Sequence, residues 1–123
     1  MPVDWNHLQK LAQAEVEATL AELPAPLRQR AQPVTVTFER APNPALQADG
    51  IEADSLGLFT GPAFADEEHT TLPPQIILFL ENLWDFAEGD EEIFCAEVNT
   101  TYLHELGHYL GLDEDELTER GLE

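Results

Sequence analysis

Residues 104–114 read HELGHYLGLDE, and this stretch decides what the rest of the chain has to build. His104 and His108 are four residues apart, so an α-helix stacks their imidazoles on one face, about a turn from each other. That spacing lets two neutral ring nitrogens reach one zinc ion at roughly 2.0–2.1 Å each. Glu105 follows the first histidine, where a carboxylate points beside the metal rather than ligating it. From there it can take a proton from zinc-bound water, whose pKa the metal lowers to around 7. Gly111 comes three residues after His108, where a helix can end with one residue in the left-handed conformation. The chain can then double back and bring an acidic side chain to the metal's third corner. Asp113, Glu114 and Asp115 are all on offer.

The stretch resembles the zincin metallopeptidases, and its extended form, HExxHxxGxx followed by an acid, is similar to their metzincin-type arm. More closely, HELGHYLGLDEDEL in a small acidic chain resembles the minimal zincin-like bacterial metallopeptidases. The resemblance covers most of the chain and implies an N-terminal helix, central strands and a C-terminal active-site helix. It also implies one Zn²⁺ per chain held by His104, His108 and Glu114, Glu105 as the catalytic base, and a peptide or protein substrate. Two departures stand out. The third-ligand position usually carries Asp in that family, whereas here it is Glu114, with Asp113 just before it. Metzincins proper place a methionine turn after the motif, but only nine residues follow Glu114 and the sole methionine is Met1. The motif specifies metal and water chemistry without specifying a substrate.

Composition sets the outer limits. At 123 residues the chain is expected to form one domain, residues 1–123, with roughly two-thirds of its unfolded surface buried. An apolar content of 43% supports a globular fold. The net charge of −20, from 25 acids and 5 bases, argues against binding nucleic acid or an anionic membrane through a basic surface. The same charge repels acidic peptides and draws basic ones at low salt, although a plainer role is to keep the protein soluble and monomeric. Cys95 is the single cysteine, so no intramolecular disulfide forms and a reducing compartment fits. MPVDWNHLQK lacks a basic region followed by an apolar run, and no segment approaches 18 uninterrupted apolar residues. These features lead to the expectation of a cytoplasmic protein.

Residues 4–23 read as an amphipathic helix with Asp4 as N-cap and Leu8, Leu11, Ala12, Val16, Leu20 and Leu23 along one side. Pro24 and Pro26 close it, leaving Arg28 and Arg30 on a loop surface. His7, in the helix's first turn, is a remote candidate ligand. Residues 34–39 (VTVTFE) alternate as a half-buried strand with Val34, Val36 and Phe38 inward. A turn at Pro42–Pro44 leads into a short helical turn around 43–48. Residues 56–60 (LGLFT) form a second strand, the candidate edge for pairing an extended peptide. His69, in the polar stretch 65–71, reads as a solvent-exposed loop histidine, with a carbonyl-polarising role as the alternative. The apolar run QIILFL (75–80) suits a strand covered on both faces. Trp84 and Phe86 then pack in a short helical turn that Gly89 breaks. Asp90 caps the last helix, which carries Ile93, Phe94, Val98, Leu106 and Leu110 as a buried stripe and runs to about Leu110. Tyr102 and Tyr109 either pack or donate to an oxyanion. Cys95 lies more than two turns before His104, too far along the helix to share a metal with it.

The expected fold is α+β: a small mixed sheet with an N-terminal helix and a long C-terminal active-site helix, zincin-like. The expected activity is zinc-dependent peptide hydrolysis, with a zinc-binding regulatory or interaction module of little or no turnover as the alternative. The second is motivated by small size, which permits only a shallow cleft. A purely structural zinc site is disfavoured, because such sites are usually closed by four protein ligands dominated by cysteine.

Overall fold

The apolar stripe Leu8, Ala12 and Val16 builds the first helix, α1 (Trp5–Glu22), and the computed structural model buries all three. The structure describes residues 4–61 and 74–110. Asp4 occupies the N-cap, but its carboxylate makes no capping hydrogen bond. Leu23 leaves the helix in an extended conformation, as a residue before proline prefers. The segment that follows corrects the expected loop: Ala25–Ala31 is a second helix, α2, carrying Arg28 and Arg30. Pro26 does not break it, because a proline in the first turn removes only an N–H that would have no helical partner.

A three-stranded sheet follows, with β1 (Thr35–Glu39) and β2 (Gly57–Thr60) on either side of β3 (Gln75–Phe79). β1 runs parallel to β3 and β2 antiparallel to it, so the sheet is mixed. The central strand matches its continuous apolar run: Ile76, Leu78 and Phe79 are fully buried. Between β1 and β2 lies a short helix, α3 (Pro44–Ala48), started by the Asn43 side chain, whose oxygen accepts from the Leu46 N–H at 2.8 Å.

Beyond β3 the chain turns directly into α4 (Leu80–Phe86), a full short helix rather than a single turn. Only one of its two aromatics packs. Trp84 meets Phe94 edge-on with ring centroids 5.6 Å apart, whereas Phe86 is 59% exposed. Two residues apart on a helix, they point in different directions. Gly89, at φ +77°, makes the turn into α5 (Glu91–Leu110). Asp90 caps α5 as expected, its Oδ1 accepting from the Ile93 N–H at 3.0 Å. Ile93 itself departs from the expected stripe and is 47% exposed, because it lies about 100° around the helix from the buried Phe94.

Helix α5 packs against α1, α4 and both β2 and β3. Asn99 donates to the buried Thr19 hydroxyl, tying α5 to α1. Arg40 clasps three parts of the chain: its guanidinium lies 4.7 Å from the centroid of the Trp5 ring and 2.6 Å from Glu81. Among the described residues no buried side-chain nitrogen or oxygen lacks a hydrogen-bond partner. No helix among them is long and apolar enough to cross a membrane. The α+β architecture expected from the sequence, a small mixed sheet with an N-terminal helix and a long C-terminal helix, is the one observed.

Candidate metal centre

The second half of α5 has core on most sides: Thr101, Tyr102, Leu103, Leu106, Gly107 and Tyr109 are all buried. The remaining strip of helix surface carries His104, Glu105 and His108. His104 and Glu105 are half-buried and His108 is exposed. The helix brings the two histidine Nε2 atoms to 3.2 Å, with ring planes at 85°. One potential ligand atom from each of the three residues lies within 4.8 Å of the others.

This donor set fits a zinc ion. Two imidazole nitrogens at 2.0–2.1 Å on a tetrahedral zinc stand about 3.3 Å apart, close to the 3.2 Å between these Nε2 atoms. Asp113, Glu114 and Asp115, the candidates for the third ligand, lie outside the described residues, as does His69.

Strand β2 forms the opposite wall, and Gly57 sets how close it comes. A Cβ at Gly57 would stand 2.7 Å from the Thr101 Cγ2 and 3.4 Å from the Glu105 Cγ. The strand therefore lies on the helix at a distance only glycine permits. Phe59, two residues on and on the same face, packs against Tyr109 with ring centroids 5.8 Å apart. Between helix and strand opens a cleft of about 320 Å³, with Ser55 and Gly57 on one side and Glu97, Thr101, His104 and Glu105 on the other. Among the described residues β2 pairs only with β3. The Phe79 N–H donates to the Leu56 carbonyl, and antiparallel alternation then turns the N–H and C=O of Gly57 and Phe59 toward the unpaired edge. A larger groove of about 670 Å³, between α1 and β1, holds none of the histidines.

The other sequence candidates fall elsewhere. His7 Nε2 lies 2.9 Å from a Glu91 carboxylate oxygen at the start of α5, more than three turns from His104. Arg28 reaches the Ala21 carbonyl from α2. Tyr102 and Tyr109 are core residues, which favours the packing role for both; burial pushes the Tyr102 phenol up to about 12. Burial, followed by the charges of Glu15 and Glu91, raises the pKa of the Cys95 thiol, so the thiolate is disfavoured. Sequence reasoning passed over Glu97, Thr101 and Gly57. Glu97 had a legible signal: it precedes His104 by seven residues and Glu105 by eight, two helical turns along the same face.

No curated protein matches the chain. A sequence model described as zincin-like metallopeptidase matches residues 31–122, a span that runs from the end of α2 through the sheet and the whole of α5. That family implies a bound metal, typically zinc, and a peptide substrate, and among the described residues the His104–Glu105–His108 group could hold a metal ion. With most of its length matched, including the helix that carries the motif, the chain belongs to the zincin-like metallopeptidases.

Proposed function

We propose that the protein is a zinc-dependent peptidase. In this reading His104 and His108 hold the metal through Nε2, Glu114 supplies the third ligand and Glu105 is the general base. The observation that carries it is the 3.2 Å pairing of the two Nε2 atoms with a carboxylate beside them at the mouth of a cleft. A zinc ion held there supplies a Lewis acid for the scissile carbonyl and lowers the pKa of a water to around 7.

The remaining work falls to the chain's own groups. The Glu105 carboxylate takes the proton from the attacking water and delivers it to the leaving nitrogen, so the C–N bond breaks as an N–H bond forms. The outward-facing N–H and C=O groups of Gly57 and Phe59 hold an extended peptide as an added strand along the cleft. The charge of −20 draws basic peptides toward the protein at low salt. It also favours a monomer, and the lone Cys95 suits the cytoplasm.

The exposure of His108 and the openness of the cleft also suit a second reading, a zinc-binding interaction module without turnover. One set of variants separates the two. Zinc per chain by elemental analysis should be about one in the wild type and in Glu105→Gln. Peptide hydrolysis by Glu105→Gln should fall by about 10²–10⁴-fold, the usual contribution of a general base. His108→Ala should lose metal and activity together, and Glu114→Ala should bind markedly less zinc. Undiminished turnover in Glu105→Gln would sink the mechanism. A zinc-loaded wild type that cleaves no peptide would favour the module.

A further inference from the structure

We propose that Glu97 makes the cleft beside Glu105 a pocket for a long basic side chain, an arginine or lysine of the substrate next to the scissile bond. The proposal rests on the peptidase reading and names the substrate class for that site.

Glu97, Thr101, His104 and Glu105 all line the cleft and share one face of α5, at positions i, i+4, i+7 and i+8. Seven residues of helix put Glu97 about 10 Å along the axis from His104. A substrate residue anchored over Glu105 needs a long, unbranched side chain to come within reach of that carboxylate. Arginine and lysine supply one, with an apolar stem and a charged end. The stem has a suitable path in the cleft itself, which Ser55 and Leu56 line from the strand side and Thr100 and Thr101 from the helix, beside the close Gly57–Thr101 contact rather than through it.

The charge pattern agrees. Glu97 is half-buried and has no ion pair or hydrogen bond among the described residues. The sequence contains no lysine or arginine between Arg40 and Arg120, so α5 has four glutamates and no lysine or arginine of its own. The one glutamate paired with a histidine, Glu91, lies nearly two turns before Glu97. A guanidinium or ammonium at Glu97 gains a charge-assisted hydrogen bond in a partly dehydrated cleft. An acidic side chain there meets both Glu97 and Glu105 and is repelled. This differs from the long-range pull of the whole protein, because it acts at one substrate position and depends on one carboxylate.

The test uses the zinc-loaded protein and labelled peptides that differ at one central residue: arginine, uncharged norleucine of similar length, or glutamate. One set has a ketomethylene in place of the adjacent amide, so that binding is read by fluorescence anisotropy without cleavage; a matched amide set reads hydrolysis. Arginine should bind about tenfold more tightly than norleucine, the size of a modest charged hydrogen bond. Glu97→Gln should reduce that preference to about twofold or less, and Glu97→Lys should turn it toward glutamate. Glu22→Gln, an equal charge change on the exposed end of α1, should keep the preference. An arginine preference that survives in Glu97→Gln, or disappears equally in Glu22→Gln, overturns the proposal. Cleavage of the amide set without basic preference overturns it while leaving the peptidase reading intact. A Glu97-dependent arginine preference in binding, with no cleavage of any amide peptide, upholds the pocket and removes the peptidase reading. No binding of any peptide overturns both.

Discussion

Of the first ten residues of α5, Glu91–Thr100, only Phe94 and Val98 are buried, whereas six of the last ten are. The first half meets α4 through Phe94 against Trp84 and α1 through Asn99 on Thr19. The second half carries the contacts with β2, through Thr101 at Gly57 and Tyr109 against Phe59. Exposure therefore means different things in the two halves. In the first half much of the surface faces water, and an exposed Ile93 needs no explanation. In the second half almost every direction is filled by core, and the one strip left carries two imidazoles and a carboxylate. Polar residues concentrated on the sole open face of an otherwise buried helix end indicate chemistry more strongly than the same residues scattered over the first half.

That contrast can be tested, beginning with its largest expected effect. Leu106→Ala, in the second half and fully buried, should cost about 2–5 kcal/mol in denaturant unfolding. A loss below about 1 kcal/mol would mean the second half is not packed as described. Next comes Gly57→Ala, whose new Cβ would lie 2.7 Å from a Thr101 methyl carbon. Overpacking of this kind should cost about 1–3 kcal/mol. Adding Thr101→Ser, which removes that methyl, should recover much of the loss, and strict additivity of the two changes would show that they do not meet. The smallest effect belongs to the first half. Ile93→Ser should shift stability by no more than about 0.5 kcal/mol, since the side chain is 47% exposed. A larger loss would erase the difference between the halves.

Most of the architecture was legible because local pattern and tertiary position agree. The stripe of α1, the alternation in β1, the apolar run of β3 and the Asp90 cap of α5 each survive folding with bounds shifted by a residue or so. The failures share one cause, a residue type taken without its position. Pro26 reads as a breaker until it is seen in a helix's first turn, where it is tolerated. Phe86 and Ile93 read as core by hydrophobicity, yet each lies next to a position that already faces inward. The candidate site was legible in part. His104, Glu105 and His108 depend only on helical spacing, which sequence displays directly. Glu97's place on the same face as His104 could be read from spacing too. The Gly57 approach and the cleft it leaves beside Glu97 depend on which strand lies over which turn of α5, a tertiary fact that spacing within one segment does not encode.

The wiring of the sheet has a consequence in time. Gln75 on the central strand pairs with Thr60 across a short stretch of chain and with Thr35 across one more than twice as long. Closing the longer loop costs more entropy before any pairing compensates for it, so the parallel partner is expected to join late. Phe59→Ala, in the antiparallel pair, should then slow refolding with a φ-value of about 0.5–0.8, while Val36→Ala in β1 should mainly speed unfolding, with φ of about 0–0.3. Stopped-flow chevrons giving equal values would reject this order. If it holds, the strand that walls the cleft is in place on β3 before β1 joins the sheet.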